Sequence, residues 1–378
     1  MVEVSAIPHR TRSRTILSIG REHWDRDGYD ETARRAFLRA EKCKSPELGA
    51  RRYASDDEEW EFGNPCKGAA CTSCGNWRTT RWQQDRDWAL PDTRYLAITF
   101  TMPDSLWPLF QQNPLLRRKL EIIASRVVIS YARVRKGIEI GTMAIQQTFN
   151  GKLEFNPHVH MLITGGDLLC NRSGESASIY FDSEELTRSW QRLVIGLLRT
   201  GLRAHGATLP MTREDLDRLL QKEAERAWHK THIKAEEKRH FLGYGGRYCR
   251  RPPIADRRIL AVTDEVVRFW YFNKRTKTRE IVGCSIAEFI DRWALHIPRR
   301  YQHTVRYFGP LAPRRLTKIR MALLGMLNKR PRPRPKPLSW PHGIQRMGKP
   351  HPLLDSKGRR MRFVRHVAPL RSARRDIY

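Results

Sequence analysis

Two β-branched, apolar runs separated by Asn150-Gly151 constrain the fold of this chain more than any other feature. Residues 141–149 and 157–164 each read as a strand, and Asn-Gly between two such runs is the strongest short-range hairpin signal. The second run contains His158-Val159-His160. Side chains two apart on a strand leave the same face, so both imidazoles converge while Val159 enters the opposite apolar layer. A two-residue hairpin puts odd positions of the first strand on the face of even positions of the second, which turns Gln147 and Glu154 toward the histidines. Gln147 is the preferred third ligand for a divalent ion. An O,N set of this kind suits Mg²⁺ or Mn²⁺, with phosphate oxygens and water completing the shell. Two histidines on a half-exposed strand need not hold a metal, and a bulge near Pro157 would change the register on which Gln147 depends.

Residues 94–102 predict a further buried strand that stops at Pro103. Leu120, Ile123, Val127 and Tyr131 then recur at helical spacing until Gly137, as an amphipathic helix covering a sheet requires. A strand near 177–181 is expected next, followed by helices over 184–204 and 212–250. The second helical region ends with Tyr244-Gly245-Gly246-Arg247-Tyr248. Residues four apart lie one turn apart on one helix face, so both phenols can reach one site. Two half-buried tyrosines on a packed helix would show the same spacing. The two glycines weaken the helix and would permit close approach of a DNA backbone. Arg247, Arg250 and Arg251 surround the pair, and guanidinium groups match phosphate bidentately.

Seventy-one Lys and Arg against forty Asp and Glu leave a formal charge of +31, which repels itself unless a polyanion neutralises it. Nucleic acid is the partner this indicates. No apolar run reaches the roughly 18 residues of a membrane span, and the N-terminus lacks a signal-peptide stretch, so a cytoplasmic protein with no membrane partner is expected. Of seven cysteines, four lie in one N-terminal region, a clustering that points to metal rather than disulfides. Trp77-Arg78-Thr79-Thr80-Arg81-Trp82 interleaves aromatic and basic residues, with Arg78 and Arg81 available to phosphates and the rings to unpaired bases. Residues 268–275 show a similar mixture, although alternation in a strand would bury those rings anyway.

The histidine and tyrosine constellations explain each other. A metal can polarise a scissile phosphate, and a tyrosine oxygen can attack phosphorus, become covalently joined and release a 3′-hydroxyl. The phosphotyrosine retains the energy of the broken linkage, so the reverse reaction joins another 3′ end.

His158-Val159-His160 after the Gln147-Thr148-Phe149 strand, then Tyr244 and Tyr248 before Arg251-Pro252-Pro253, resembles the His-hydrophobic-His (HUH) endonucleases. Within them it is similar to the two-tyrosine transposases of the insertion sequence 91 family. Phe289-Ile290-Asp291-Arg292, His296-Ile297-Pro298 and Val305-Arg306-Tyr307-Phe308-Gly309 extend the similarity over roughly residues 43–320. The resemblance implies an α+β fold, an HUH-type core with a central antiparallel sheet flanked by helices. It implies a bacterial, nucleoid-associated transposase that moves one strand by rolling-circle transposition, with single-stranded DNA at mobile-element ends and target DNA as partners. Tyr244 and Tyr248 match the nucleophiles; His158, His160 and Gln147 match the metal site. Cys43, Cys66, Cys71 and Cys74 resemble the family's N-terminal zinc-binding segment and supply four thiolates for one tetrahedral Zn²⁺. A Cys-X-X-Cys pair expected between them is replaced by Ser55 and Glu58, so a degraded site whose cysteines merely pack is the competing reading. Cys170, Cys249 and Cys284 stand alone.

The expected organisation is an N-terminal arm or helix (1–42), a zinc-binding and DNA-contacting unit (43–90), the catalytic core with its tyrosine helix (91–253), an α+β extension (254–328) and a basic, disordered tail (329–378). A relaxase or rolling-circle replication initiator shares the same chemistry, and a non-catalytic DNA-binding regulator derived from this fold is the alternative of a different class. The sequence leaves the oligomeric state open.

Overall fold

The computed structural model describes residues 4–6, 11–68, 70–166, 179–203, 206–299, 302–326, 330–336, 339–346, 348 and 350–370. Its centre is a five-stranded sheet in which every neighbouring pair is antiparallel. In chain order the strands are β1 (Tyr95–Phe100), β2 (Thr142–Phe149), β3 (Phe155–Thr164), β4 (His232–Glu236) and β5 (Val305–Phe308). Their spatial order is β5-β2-β3-β1-β4.

Alternation along these strands separates two apolar layers. Ile98, Phe100, Val159, Met161 and Ile163 point to one face and pack against helices Leu120–Lys136 and Ser183–Gly201. Tyr95, Ala97, Met143, Ile145 and Leu162 point to the other, against two helices labelled α1 (Thr72–Ala89) and α2 (Lys238–Arg250). Val159 is fully buried in the first layer, as the alternation predicts. The helix around residues 120–136 ends at Gly137 in the left-handed region (φ 65°), the conformation a glycine stop supplies.

The region expected to be helical over 212–250 is interrupted. Helix Arg213–Glu225 ends, β4 pairs with the edge of β1, and α2 begins at Lys238. The strand was hidden because an edge position leaves most of its side chains exposed, so Thr-His-Ile-Lys-Ala-Glu carries no apolar run to announce it. Of the strand expected near 177–181, residues 177 and 178 fall outside the described residues, and Ile179–Phe181 are not in a strand, which corrects the expectation there. Cys170 also lies outside them.

A third core joins distant parts of the chain. Ile16, Trp24 and Phe37 from the N-terminal helices pack with Phe269, Phe289 and Trp293 from residues 259–294. The rings run in edge contacts from Trp24 to Phe37 (5.9 Å) to Trp293 (5.4 Å) to Phe289 (5.9 Å) to Phe269 (5.6 Å). The N-terminal arm and the extension after residue 254 therefore share one interior.

The basic tail departs from the expectation of disorder. Residues 330–336 lie along α1, where Arg332 and Arg334 pair with Asp92 and Asp85 and Trp88 Nε1 donates to Arg332 O (3.0 Å). Strand Arg362–Val367 then pairs antiparallel with Ala50–Ala54, completing a four-stranded sheet with Glu59–Gly63 and Val4–Ala6. A turn stapled by Asp57 to Lys357 and Arg359 holds it there. These ties are long-range and polar, and no local pattern in an Arg-Pro repeat signals them. Among the described residues, no helix is long and apolar enough to cross a membrane.

Candidate functional site

The hairpin that carries the histidines is built differently from the two-residue turn expected, yet it brings the expected residues together. Its loop spans Asn150–Glu154, closed by Asn150 N donating to Glu154 O (3.1 Å), with Leu153 at φ 65°. Glu154 accepts from Asn150 Nδ2 and stays in this loop rather than joining the histidines. Phe149 pairs with Phe155, a register that alone would turn Gln147 away from them. A register shift then intervenes, after which Gln147 pairs with His158 and Ile145 with His160. Between the two pairs β3 advances one residue more than β2, so the extra residue falls at Asn156 or Pro157. Pro157 cannot donate to the ladder and is tolerated at such a bulge. The longer loop and the bulge cancel, and Gln147, His158 and His160 share the face that meets α2.

Hydrogen bonds orient each donor. His158 Nδ1 donates to Asn156 O (2.8 Å), which leaves Nε2 with its lone pair. Gln147 Nε2 donates to Phe149 O (2.7 Å), so Oε1 is turned inward to within 3.0 Å of His160 Nε2. With the His160 proton on Nδ1 toward Thr99 Oγ1 (3.1 Å), two acceptors face one another, an arrangement that a shared cation resolves. Burial pushes the His158 pKa down to about 4 and that of His160 to about 2, with His158 and Lys274 adding to the shift of His160. Both imidazoles are therefore neutral at pH 7, the form that binds metal. The site fits a divalent ion.

α2 brings the phenols. Tyr244 OH lies 3.2 Å from His160 Nε2, and the Tyr244 and Tyr248 rings are 4.7 Å apart. Tyr248 stacks 6.1 Å from His160 and packs on Phe149 at 5.5 Å. Burial, with Tyr248 beside it, raises the Tyr244 pKa above the usual phenol value. The glycines between the tyrosines serve packing rather than approach of DNA. A Cβ on Gly245 would meet Ile145 Cδ1 at 2.4 Å, and one on Gly246 would meet Thr79 Cγ2 at 2.9 Å. They let α2 settle onto β2 and α1 at once.

The five arginines divide by environment. Arg247 is exposed, its guanidinium 5.6 Å from the Tyr244 ring, and Arg81 is exposed beside Trp77 at 5.9 Å. Arg251 Nε donates to Thr79 Oγ1 (3.2 Å), Arg250 lies over Trp82 (5.8 Å), and Arg78 donates to Lys67 O (3.2 Å). These three tie elements together. Sequence reasoning missed Thr99, although it pairs with His160 across the β1–β3 ladder. It also missed Asn156, Lys274 and Arg258; Tyr248 lies close enough to act electrostatically on Arg258.

A second centre lies at the start of α1. The sulfurs of Cys43, Cys66, Cys71 and Cys74 are all within 4.8 Å of one another, with Cys74 Sγ 3.6 Å from Cys43 and 3.7 Å from Cys66. Tetrahedral Zn²⁺ with Zn–S near 2.3 Å sets S···S at about 3.8 Å, so the cluster has the dimensions of a zinc site. Cys71 caps α1, its sulfur accepting from Cys74 N, and Gly68 N donates to Cys66 Sγ (3.3 Å). Ser55 and Glu58 take no part; Ser55 N donates to Glu58 O (2.8 Å) at the tip of the neighbouring hairpin.

Two family models cover both centres and define the class of protein. Residues 141–318, containing the histidine strand and the tyrosine helix, match a family described as "Putative transposase". Residues 16–102, containing the four cysteines, match "Transposase zinc-binding domain". The transposase of insertion sequence element IS801 from Pseudomonas savastanoi pv. phaseolicola is 32% identical over 285 residues, 72% of this chain and 68% of the relative. A protein of Sinorhizobium fredii described as "Putative transposase y4qJ" is 28% identical over 302 residues, 74% of this chain and 75% of its own length. No solved structure matches the chain. The chain belongs to the insertion sequence 91 family of transposases. It is an enzyme acting on DNA, with a structural zinc at the four-cysteine cluster.

Proposed function

We propose that this transposase cuts and rejoins single-stranded DNA at element ends through 5′-phosphotyrosine links, with Tyr244 and Tyr248 as nucleophiles, as rolling-circle transposition requires. The observation that carries the reading is the Tyr244 hydroxyl, 3.2 Å from His160 Nε2, with Tyr248 on the same helix face. His158 Nε2, His160 Nε2 and Gln147 Oε1 would hold the Mg²⁺ or Mn²⁺, which when bound supplies Lewis-acid polarisation of the scissile phosphate.

The chain's own residues supply the rest. Thr99, Asn156 and Phe149 O fix the donors' orientation, so little reorganisation is needed when the strand arrives. Arg247 is placed to neutralise a phosphate beside Tyr244, and the positive field of Lys274 reaches the same histidines. Arg81 contacts the strand as it passes α1. The tyrosine oxygen bonds to phosphorus, the bond from phosphorus to the 3′ oxygen breaks, and that oxygen leaves as a hydroxyl carrying a proton. A second 3′-hydroxyl reverses the step and frees the tyrosine. A second phenol one turn away allows another cleavage while the first adduct persists.

The test is adduct formation on a labelled single-stranded element end with Mn²⁺ or Mg²⁺ present. Wild type should give a denaturation-resistant adduct; Tyr244→Phe or Tyr248→Phe alone should leave at least one route to it, and the double variant none. His158→Ala should lose cleavage while keeping most DNA affinity, which comes from phosphate contacts. An adduct in the double variant, mapped by peptide mass spectrometry to another residue, would leave the tyrosines as packing residues.

A further inference from the structure

Six rings stand together on the sheet that the tail strand completes, outside all three apolar cores. Tyr53 pairs across the ladder with Trp60 and Phe363, and Arg51 with Phe62 and His366. Cross-strand partners share a face. The rings touch at their edges, Tyr53 5.6 Å from Phe363 and 5.8 Å from Phe62, and Trp340 closes on Phe62 at 5.1 Å. None of the six is buried, and Phe363 is 50% exposed. A contiguous aromatic surface left open on a folded protein marks an interaction site.

Charge identifies the occupant. Arg52, on the opposite face, is neutralised by Glu59 and Glu61. Arg51, among the rings, is exposed and has no ion pair among the described residues, whereas Arg362 and Arg365 of the edge strand leave the opposite face with Ala54 and Arg52. Open rings beside an uncompensated guanidinium group suit unpaired bases with their phosphates, because every base offers a π face. A protein partner would need a carboxylate placed against Arg51, whereas a nucleic acid strand supplies its charges at every residue.

We propose that this face is a second single-stranded DNA site, where bases stack on Tyr53, Trp60 and Phe363 while Arg51 holds the backbone. The choice of ligand rests on the single-strand reading above. The route between the two sites is built into α1. Helix Trp340–Arg346 packs on it so closely that a Cβ on Gly343 would meet the Trp77 ring at 2.0 Å, while Thr79 and Gln83 of α1 meet α2 through Gly246 and Leu242 O. Trp77 and Thr79 are about 200° apart around a helix, so platform and tyrosines flank α1 on opposite sides. A strand held in the catalytic site can cross α1 at the exposed Arg81 to reach the platform.

Full-length wild type, Phe363→Ala and Trp60→Ala are titrated by fluorescence anisotropy with an oligothymidine of about thirty residues, an abasic strand of that length and a duplex. Wild type should bind the oligothymidine roughly fivefold or more tightly than the abasic strand, a ratio that stacking of a single base can supply. Both variants should lose that preference while keeping their affinity for the abasic strand and the duplex. Equal binding of both strands by wild type, an undiminished preference in both variants, or an equal fall on all three ligands overturns the proposal. Adduct formation on a short oligonucleotide is scored in the same preparations. Base preference without any wild-type adduct sinks the catalytic reading and leaves the platform standing; adducts without base preference do the reverse.

Discussion

His296 ties the histidine hairpin to the rest of the molecule with one ring. Its Nε2 donates to Leu153 O (3.0 Å), its Nδ1 accepts from Thr148 Oγ1 (3.0 Å), and the ring packs 5.0 Å from Phe149, which supports Tyr248. Burial pushes its pKa down from 6.5 to about 4. A base whose folded pKa is depressed contributes stability in full above its unfolded pKa, and that contribution is lost as pH falls through the folded value. The window here runs from 6.5 down to about 4 and is worth roughly 3 kcal/mol at most. His296→Gln should flatten the acid side of a plot of Tm against pH within that window, and an unchanged slope would show that His296 does not titrate with unfolding. At this scale, the sequence showed side chains whose type carries chemistry, His158, His160, Tyr244 and Tyr248. It did not show Thr99 or Asn156, because an ordinary hydroxyl and a backbone carbonyl become specific only when a neighbouring strand places them.

Among elements, α2 is positioned by what its glycines lack. Gly243 has open space where a Cβ would stand, whereas Gly246 is pressed against Thr79 and Trp82. Gly243→Ala should therefore stabilise the protein by up to about 1 kcal/mol through helix propensity. Gly246→Ala should instead destabilise it by about 1–3 kcal/mol through overpacking, and slow adduct formation by shifting both tyrosines. Thermal denaturation of the two variants decides; equal effects would mean that α2 does not depend on its contact with α1. The hairpin shows how far element-level reading reaches. Parity correctly put Gln147 with the histidines, although a longer loop and a one-residue bulge had to compensate for each other. Edge elements such as β4 and Arg362–Val367 were illegible for the opposite reason. Their partners, not their own side chains, make them strands.

Over the whole molecule, the cysteine cluster and the tyrosines meet along α1. Cys71 caps it and Cys74 lies in its first turn, Gly75 lies against Pro252 and Arg251, Thr79 against Gly246, and Gln83 Nε2 donates to Leu242 O (3.2 Å). Zinc therefore anchors one end of the helix whose next turns seat α2 against the catalytic sheet. The same four cysteines line the core shared by the N-terminal helices and residues 259–294. The sequence suggested the zinc ligands but assigned the arm and the extension to separate units, because contacts between residues more than two hundred positions apart leave no periodicity in either segment. Binding of a structural metal is folding free energy, so its removal should be felt in both places. Protein purified without added metal should contain one zinc per chain by elemental analysis. Cys71→Ser should lose it, lower the Tm and reduce adduct formation, although residues 158, 160, 244 and 248 are untouched. Well-folded wild type without zinc would favour cysteines that merely pack. A zinc-free variant that forms adducts at the wild-type rate would show that α1 holds the tyrosine helix without its metal anchor.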